Sequence, residues 1–157
     1  MSKSLKRVTR ALAEAGLDSA PMEIGHATTA EMAADLLGCA VDQIAKSIIF
    51  AGETSGAAVL FVTAGSAQVD PARASALAGE PLGKAGAALI RAQTGFAIGG
   101  VSPIGHVTCP KAFFDENLLQ FDKIWAAAGT PRHVFGAAPE DILRVSGAQT
   151  ALFTAKK

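Results

Sequence analysis

Apolar residues near the start of the chain recur at helical spacing. Leu5, Val8, Leu12 and Ala15 fall on one side, Lys3, Lys6, Arg7 and Arg10 fall mostly on the other, and Gly16 stops the run. This predicts a first helix with a basic outer face. Pro21 to Gly25 reads as a short strand, and Thr28 with Glu31 reads as a capping box that opens a helix through Met32, Ala33, Leu36 and Leu37 to Gly38. Gln43–Phe50 and Ala57–Thr63 are β-rich runs separated by Gly52-Glu53-Thr54-Ser55-Gly56, the pattern of a hairpin. Asp70-Pro71 is a cap followed by proline at the first helical position, so Ala72–Ala78 is expected to be helical, and a further helix is expected over Lys84–Gln93.

The pattern changes after Phe96. Gly99, Gly100, Pro103 and Gly105 lie too close together for a regular element. Strand-like pieces follow at His106–Thr108, Ala112–Phe114, Lys123–Ala127 and His133–Gly136. Pro139-Glu140-Asp141 starts a last helix through Leu143 to Ser146, and Thr150–Thr154 is a returning strand. Helices and strands mix without a strict βαβ alternation and no linker or repeat interrupts them. The expectation is one α+β (mixed α/β) domain over residues 1–157, with a curved, barrel-like mixed sheet flanked by helices.

Composition narrows the function. The chain has 157 residues, 14 basic and 14 acidic side chains, and half of its residues are apolar, 33 of them alanine. That is enough to bury a core without staples, and balanced charge argues against a dedicated nucleic-acid binder, which neutralises phosphates with a basic surplus. Cys39 and Cys109 make no disulfide framework and fit a reducing compartment. The N-terminus runs straight into an amphipathic pattern, and the charge-free stretch Ala92–Pro110 is broken by glycines and two prolines. A cytoplasmic protein without a membrane span is therefore expected.

Three places carry candidate chemistry. In Ile44-Ala45-Lys46-Ser47-Ile48-Ile49-Phe50 the period-two rule sets Lys46 on one face with Ile44, Ile48 and Phe50. An ammonium there either meets an anion or carbonyl in a pocket or snorkels to water at a strand end. Gly99-Gly100-Val101-Ser102-Pro103-Ile104-Gly105-His106 is a loop whose backbone amides can approach a phosphate or a carbonyl oxygen, or simply a tight turn. It has neither dinucleotide nor Walker spacing, and Gly83-Lys84-Ala85 lacks the hydroxyl a Walker loop needs. His106 and Cys109 share a metal-like spacing, but His26, Cys39 and His133 supply no second pair, so no metal or other cofactor is expected. No nucleophile elbow is present, which leaves Ser47, Ser102 and Ser146 as ordinary serines.

Lys46 within AKSIIF, the GGVSPIGH loop and the closing IWAAAGTPRHVFGAAPEDILRVSGA together resemble the YbaK family, free-standing relatives of the editing insertion of bacterial prolyl-tRNA synthetases. The resemblance covers nearly the whole chain. It implies a single mixed α/β domain around a curved, barrel-like sheet. It also implies hydrolysis of the ester joining a wrong amino acid to the 3′ end of a tRNA, most often tRNA-Pro. By position, Lys46 matches the family lysine and Gly99 to Pro103 its G-x-x-x-P loop. The implied roles are Lys46 holding the terminal phosphate or the substrate's polar head, and the backbone of Gly99, Gly100 and Val101 orienting the carbonyl. A hydroxyl of the adenosine itself would serve as the acid–base group.

Family members acting on cysteinyl-tRNA carry a serine where this chain has Ala126-Ala127-Ala128-Gly129, so the resemblance favours alanine or 2-aminobutyrate over cysteine. His26, Ile48, Val101 and Ala127 are the candidate pocket wall, and Ser47, Ser102, Pro103, His106 and Gly129 complete the candidate binding set. The partner is the acceptor end of a mischarged tRNA. With a neutral surface, substrate is selected by a few contacts there or handed over by prolyl-tRNA synthetase or an elongation factor. The alternatives are a non-catalytic tRNA- or nucleotide-binding module and, ranked below it, a DNA-binding regulator.

Overall fold

A computed structural model describes residues 2–155. The elements in order are α1 (Lys3–Glu14), β1 (Met22–Glu23), α2 (Ala30–Leu37), β2 (Ile44–Gly52), β3 (Ala58–Ala64), α3 (Pro71–Ala78), β4 (Leu82–Lys84) and α4 (Ala87–Thr94). The second half adds β5 (Lys111–Asp115), β6 (Ile124–Thr130), β7 (His133–Ala137), α5 (Pro139–Ser146) and β8 (Gln149–Ala151).

One mixed sheet organises them, in the order β1-β7-β6-β2-β3-β5-β8, with β4 added on β2. The sheet is curved and does not close, because β1 and β8 end the path unpaired with each other. β2 and β3 form the expected antiparallel hairpin, Lys46 facing Thr63 and Phe50 facing Val59. All seven residues of β3 are buried, as a central strand covered on both faces requires. Leu60, Val62 and Ala64 join the larger core with Leu5, Val8 and Leu12 of α1 and Phe114, Ile124 and Phe135. Val59 and Phe61 turn to the other face, where Phe61 packs edge-on to Phe153 at 5.0 Å and stacks on Phe113 at 5.4 Å. Each large side chain so buried contributes about 1.5–3 kcal/mol.

Four expectations shift. The N-cap of α2 is Thr29, whose hydroxyl accepts the Met32 amide at 3.1 Å, while Thr28 Oγ1 sits 3.3 Å from Met32 Sδ. Starting one residue later turns Ala30, Ala33 and Ala34 inward, small enough to lay the helix against Ile44, and leaves Met32 and Leu36 exposed. Lys84 ends strand β4 rather than opening a helix, because the chain after α3 pairs with the end of β2; α4 begins at Ala87. His106–Thr108 is not a strand: the Val107 and Thr108 amides bond back to Thr94 and Gln93, closing a loop onto α4. The last strand is Gln149–Ala151, with Thr154 adding only an isolated bridge to Val69. The curved mixed sheet flanked by helices is the one expected, and it does not close. Among the described residues no helix is long and apolar enough to cross a membrane.

Candidate active site

A strand has two edges, and β3 occupies one edge of β2 along its length. The other edge is shared: β6 pairs with it only at Ile44 and Ala45, and β4 only from Phe50 to Gly52. Between them the sheet splits. A cavity of about 550 Å³ includes residues 44–49 of β2, Ala126 and Ala127 of β6, and Ile98, Gly99 and Val101 of the glycine loop. The split explains why neighbouring β2 residues of opposite facing, Lys46 and Ser47 among them, line one cavity.

Lys46 is held from the loop after β3. Gly65 has no room for a side chain, since a Cβ there would lie 2.0 Å from Val41 O. Ser66 next to it is tied to Asp42, its amide donating to Oδ1 at 2.9 Å. This anchored turn carries Ala67, whose carbonyl accepts from Lys46 Nζ at 2.7 Å. Burial pushes the Lys46 ammonium below its ordinary value, opposed by the charges of Glu31, Asp42 and Asp115. Asp115 is buried and fixed by the Ala64 amide at 3.0 Å and by Asn117. With one carbonyl on Nζ, the ammonium keeps donors for a ligand in the cavity.

The glycine loop is set by contact with the end of β6. A Cβ on Gly100 would lie 2.9 Å from Gly129 O and 2.9 Å from Thr130 Cα, so only glycine lets the loop touch that backbone. Its amide is donated to Ala97 O at 3.0 Å. Gly99 and Val101, on either side, line the cavity, and Gly100 does not. Gly129 belongs to the packing of this corner: at φ +96° in the irregular part of the β6–β7 ladder, it lies where a Cβ would meet Ser4 O of α1 at 2.7 Å.

Lys46, Ser47, Ile48, Gly99, Val101 and Ala127 thus share the cavity, while His26, Gly100, Ser102, Pro103, His106 and Gly129 are not among its lining residues. His26 is exposed, and Ser102 and Pro103 are buried beneath the loop. His106 packs edge-on against Phe96 at 5.3 Å, and its Nε2 bonds the Ser102 carbonyl. That acceptor fixes the Nε2–H tautomer and leaves Nδ1 bare and buried. Burial pushes the His106 pKa down, the Ser102 bond opposing and Arg7 assisting. Cys109 is exposed, and among the described residues no three His, Cys, Asp or Glu side chains are grouped to hold a metal.

Sequence reading missed Trp125, Glu31, Thr130 and Ile98 in the lining. Trp125 was findable, since it is two residues from Ala127 and shares its side of β6. Glu31 and Ile98 arrive by tertiary packing and left no local signal.

The model of the aminoacyl-tRNA editing domain matches residues 25–145, which include the cavity-lining segments from Ala27 to Val134. The chain belongs to the aminoacyl-tRNA editing domain family. It is therefore a hydrolase of mischarged aminoacyl-tRNA, with charged tRNA as its substrate. The chain is similar to a crystal structure described as a candidate trans-editing enzyme for prolyl-tRNA synthetase, at 42% identity over 99% of both chains with a TM-score of 0.91. It is similar at 39% identity and TM-score 0.92, over 100% of both chains, to a structure from work on computational grafting of epitopes onto scaffold proteins. YwhH of Bacillus subtilis (strain 168), an uncharacterized protein, is 30% identical over 118 residues, 75% of this chain and 74% of that one.

Proposed function

We propose that this editing domain, residues 1–157 acting as one unit in trans, removes a small mis-attached amino acid from tRNA-Pro, alanine or 2-aminobutyrate rather than cysteine. The observation that carries the reading is the single cavity containing Lys46, the Gly99–Val101 loop and Ala127. The similarity to a candidate trans-editing enzyme for prolyl-tRNA synthetase supports tRNA-Pro. The alanine and glycine backbone of this wall supports a small acyl group: Ala127 presents a methyl where a larger or hydroxylated residue would change the fit.

Hydrolysis adds the oxygen of water to the acyl carbon and breaks the bond to the ribose, whose oxygen leaves with a proton. In the proposed assignment Lys46 binds the terminal phosphate or the polar head of the substrate and fixes the ester in place. The Gly99 and Val101 amides face the oxygen that gains charge, a stabilisation for which a single donor is worth about 10²–10³ in rate. The neighbouring ribose hydroxyl relays the proton, so no side-chain nucleophile is required. An ester is activated enough for this modest set. Balanced charge, 14 basic against 14 acidic residues, fits delivery of the acceptor end by prolyl-tRNA synthetase or an elongation factor.

The test is deacylation of alanyl-, 2-aminobutyryl-, cysteinyl-, seryl- and prolyl-tRNA-Pro by wild type and Lys46→Ala in parallel, with and without prolyl-tRNA synthetase. Rapid loss of the small non-cognate esters, survival of prolyl-tRNA and an inactive, folded Lys46→Ala protein are expected. Survival of every ester at high enzyme concentration overturns the tRNA-Pro assignment, and full activity in Lys46→Ala overturns the role of the lysine.

A further inference from the structure

The split in the sheet leaves one residue of β2 with a distinctive set of polar groups. An antiparallel ladder turns amide and carbonyl of alternate residues to opposite edges. The Gly52 amide bonds Ala57 on the β3 side, and the Glu53 amide bonds Pro81 on the β4 side. Counting back by twos from Glu53, the amide and carbonyl of Ser47 point to the edge that β6 and β4 share. There β6 has already left after Ala45 and β4 has not yet joined before Phe50, so no strand lies beside Ser47 among the described residues. Ser47 Oγ is itself buried and without a hydrogen-bond partner. All three groups belong to a residue that lines the cavity.

Buried polar groups in folded proteins are nearly always paired, so an amide and a carbonyl left side by side on a strand edge that borders a cavity call for a ligand, while the buried Ser47 hydroxyl lies behind them. We infer that the open edge of β2 at Ser47 is a base subsite that reads the adenine of the terminal nucleotide, an inference that rests on the deacylase reading above. The chemistry selects adenine over the rest of the substrate. The amino acid's ammonium offers only donors, the ester carbonyl offers only an acceptor, and the free ribose hydroxyl is committed to the proton relay in the deacylase reading, so none of them is a fixed donor–acceptor pair for Ser47. Adenine carries a donor, its exocyclic amine, directly beside a ring-nitrogen acceptor on either of its exposed edges. That is the complement of an amide and carbonyl presented side by side by one extended residue. Ile44, Ile48, Ile98 and Trp125 supply apolar lining for the faces of a flat base. A base anchored here shares the cavity with Lys46 and the glycine loop, so it fixes where the ester lies.

The experiment changes the base and leaves the protein untouched. Acceptor-stem RNA hairpins ending in adenosine, purine riboside or inosine are alanylated chemically, and kcat/KM for deacylation by the full chain is measured for each. Purine riboside lacks the exocyclic donor, and inosine exchanges donor and acceptor on the pairing edge. Losses of at least about tenfold for inosine and a smaller loss for purine riboside, carried mainly in KM, are expected from hydrogen bonds unmade in a buried site. Equal kcat/KM for all three ends overturns the base subsite while the deacylase reading stands. If the adenosine-ended hairpin and charged full-length tRNA both survive, the deacylase reading fails and the subsite fails with it.

Discussion

Replacing Gly100 by alanine separates the positioning of the glycine loop from the chemistry of its amides. The added Cβ would lie 2.9 Å from Gly129 O, 2.9 Å from Thr130 Cα and 3.0 Å from Gly129 C. Carbon contacts are comfortable at about 3.5–4.0 Å, so the loop has to retreat by roughly half an ångström or more. The obstacle is backbone on a strand, with no flexible side chain to swing aside. The strain is expected to cost about 1–3 kcal/mol. At about 2–4 °C per kcal/mol for a chain of this size, the melting temperature falls by several degrees. The larger effect is expected in catalysis, because Gly99 and Val101 move with Gly100 and a displacement of about 1 Å costs on the order of 10²-fold in rate. Gly79→Ala is the control. That glycine caps α3 at φ +79° with nothing within 4 Å of a new Cβ, so it carries backbone strain without a clash and lies outside the cavity lining. Thermal melts and single-turnover deacylation of both variants decide the matter. Gly100→Ala as active as Gly79→Ala at equal folded fraction would refute the reasoning.

Two further perturbations probe groups behind the cavity. His106 has its pKa pushed below the ordinary 6.5, so the unfolded chain takes up its proton first. Its contribution to stability is complete above pH 6.5 and is lost as pH falls from there through the folded-state value, where Nδ1 would become a donor with no acceptor. Melting temperatures of wild type and His106→Gln from pH 8 to 5 are therefore expected to converge toward low pH, and parallel curves would contradict this. Asp115→Ala strands the Ala64 and Asn117 amides, each bonded to the carboxylate at 3.0 Å, and removes a negative charge that supports the Lys46 ammonium. A loss of at least about 1–3 kcal/mol in urea unfolding is expected.

Where local chemistry decides an element, the sequence reading and the structure agree. The stripe of Leu5, Val8 and Leu12 became the buried side of α1, and Asp70-Pro71 became a true cap, the aspartate accepting the Ala72 amide at 3.0 Å. Lys46 could be singled out because a cation among isoleucines on a strand conflicts with burial, and such a conflict is visible in one dimension. The choice of Thr29 over Thr28 could not be seen, because both are good caps and only the approach of α2 to Ile44 distinguishes them. His106 drew attention through its spacing to Cys109, yet its surroundings, Phe96 and the Ser102 carbonyl, come from packing of the loop.

The sheet split is the deepest of these tertiary effects, and it recasts what period-two reasoning can say about a site. Alternation places Lys46 on one face and Ser47 on the other, which for an intact sheet would send them to different layers. Because β6 departs after Ala45 and β4 arrives only at Phe50, the edge itself is open and both residues reach one cavity. A continuous sheet would have spent the Ser47 amide and carbonyl on a neighbouring strand. Interrupting it frees backbone groups that are rigidly held by β3 on the other side, where the ladder runs unbroken from Ala45 to Ala51. Preorganised donors need no reorganisation when the substrate arrives. In the proposed function, one lysine, a glycine loop and an open strand edge bind and orient an activated ester without a catalytic triad. The same logic makes the length of the gap a functional variable: a substitution that extended β6 pairing along β2 by two residues would stabilise the sheet and close the site.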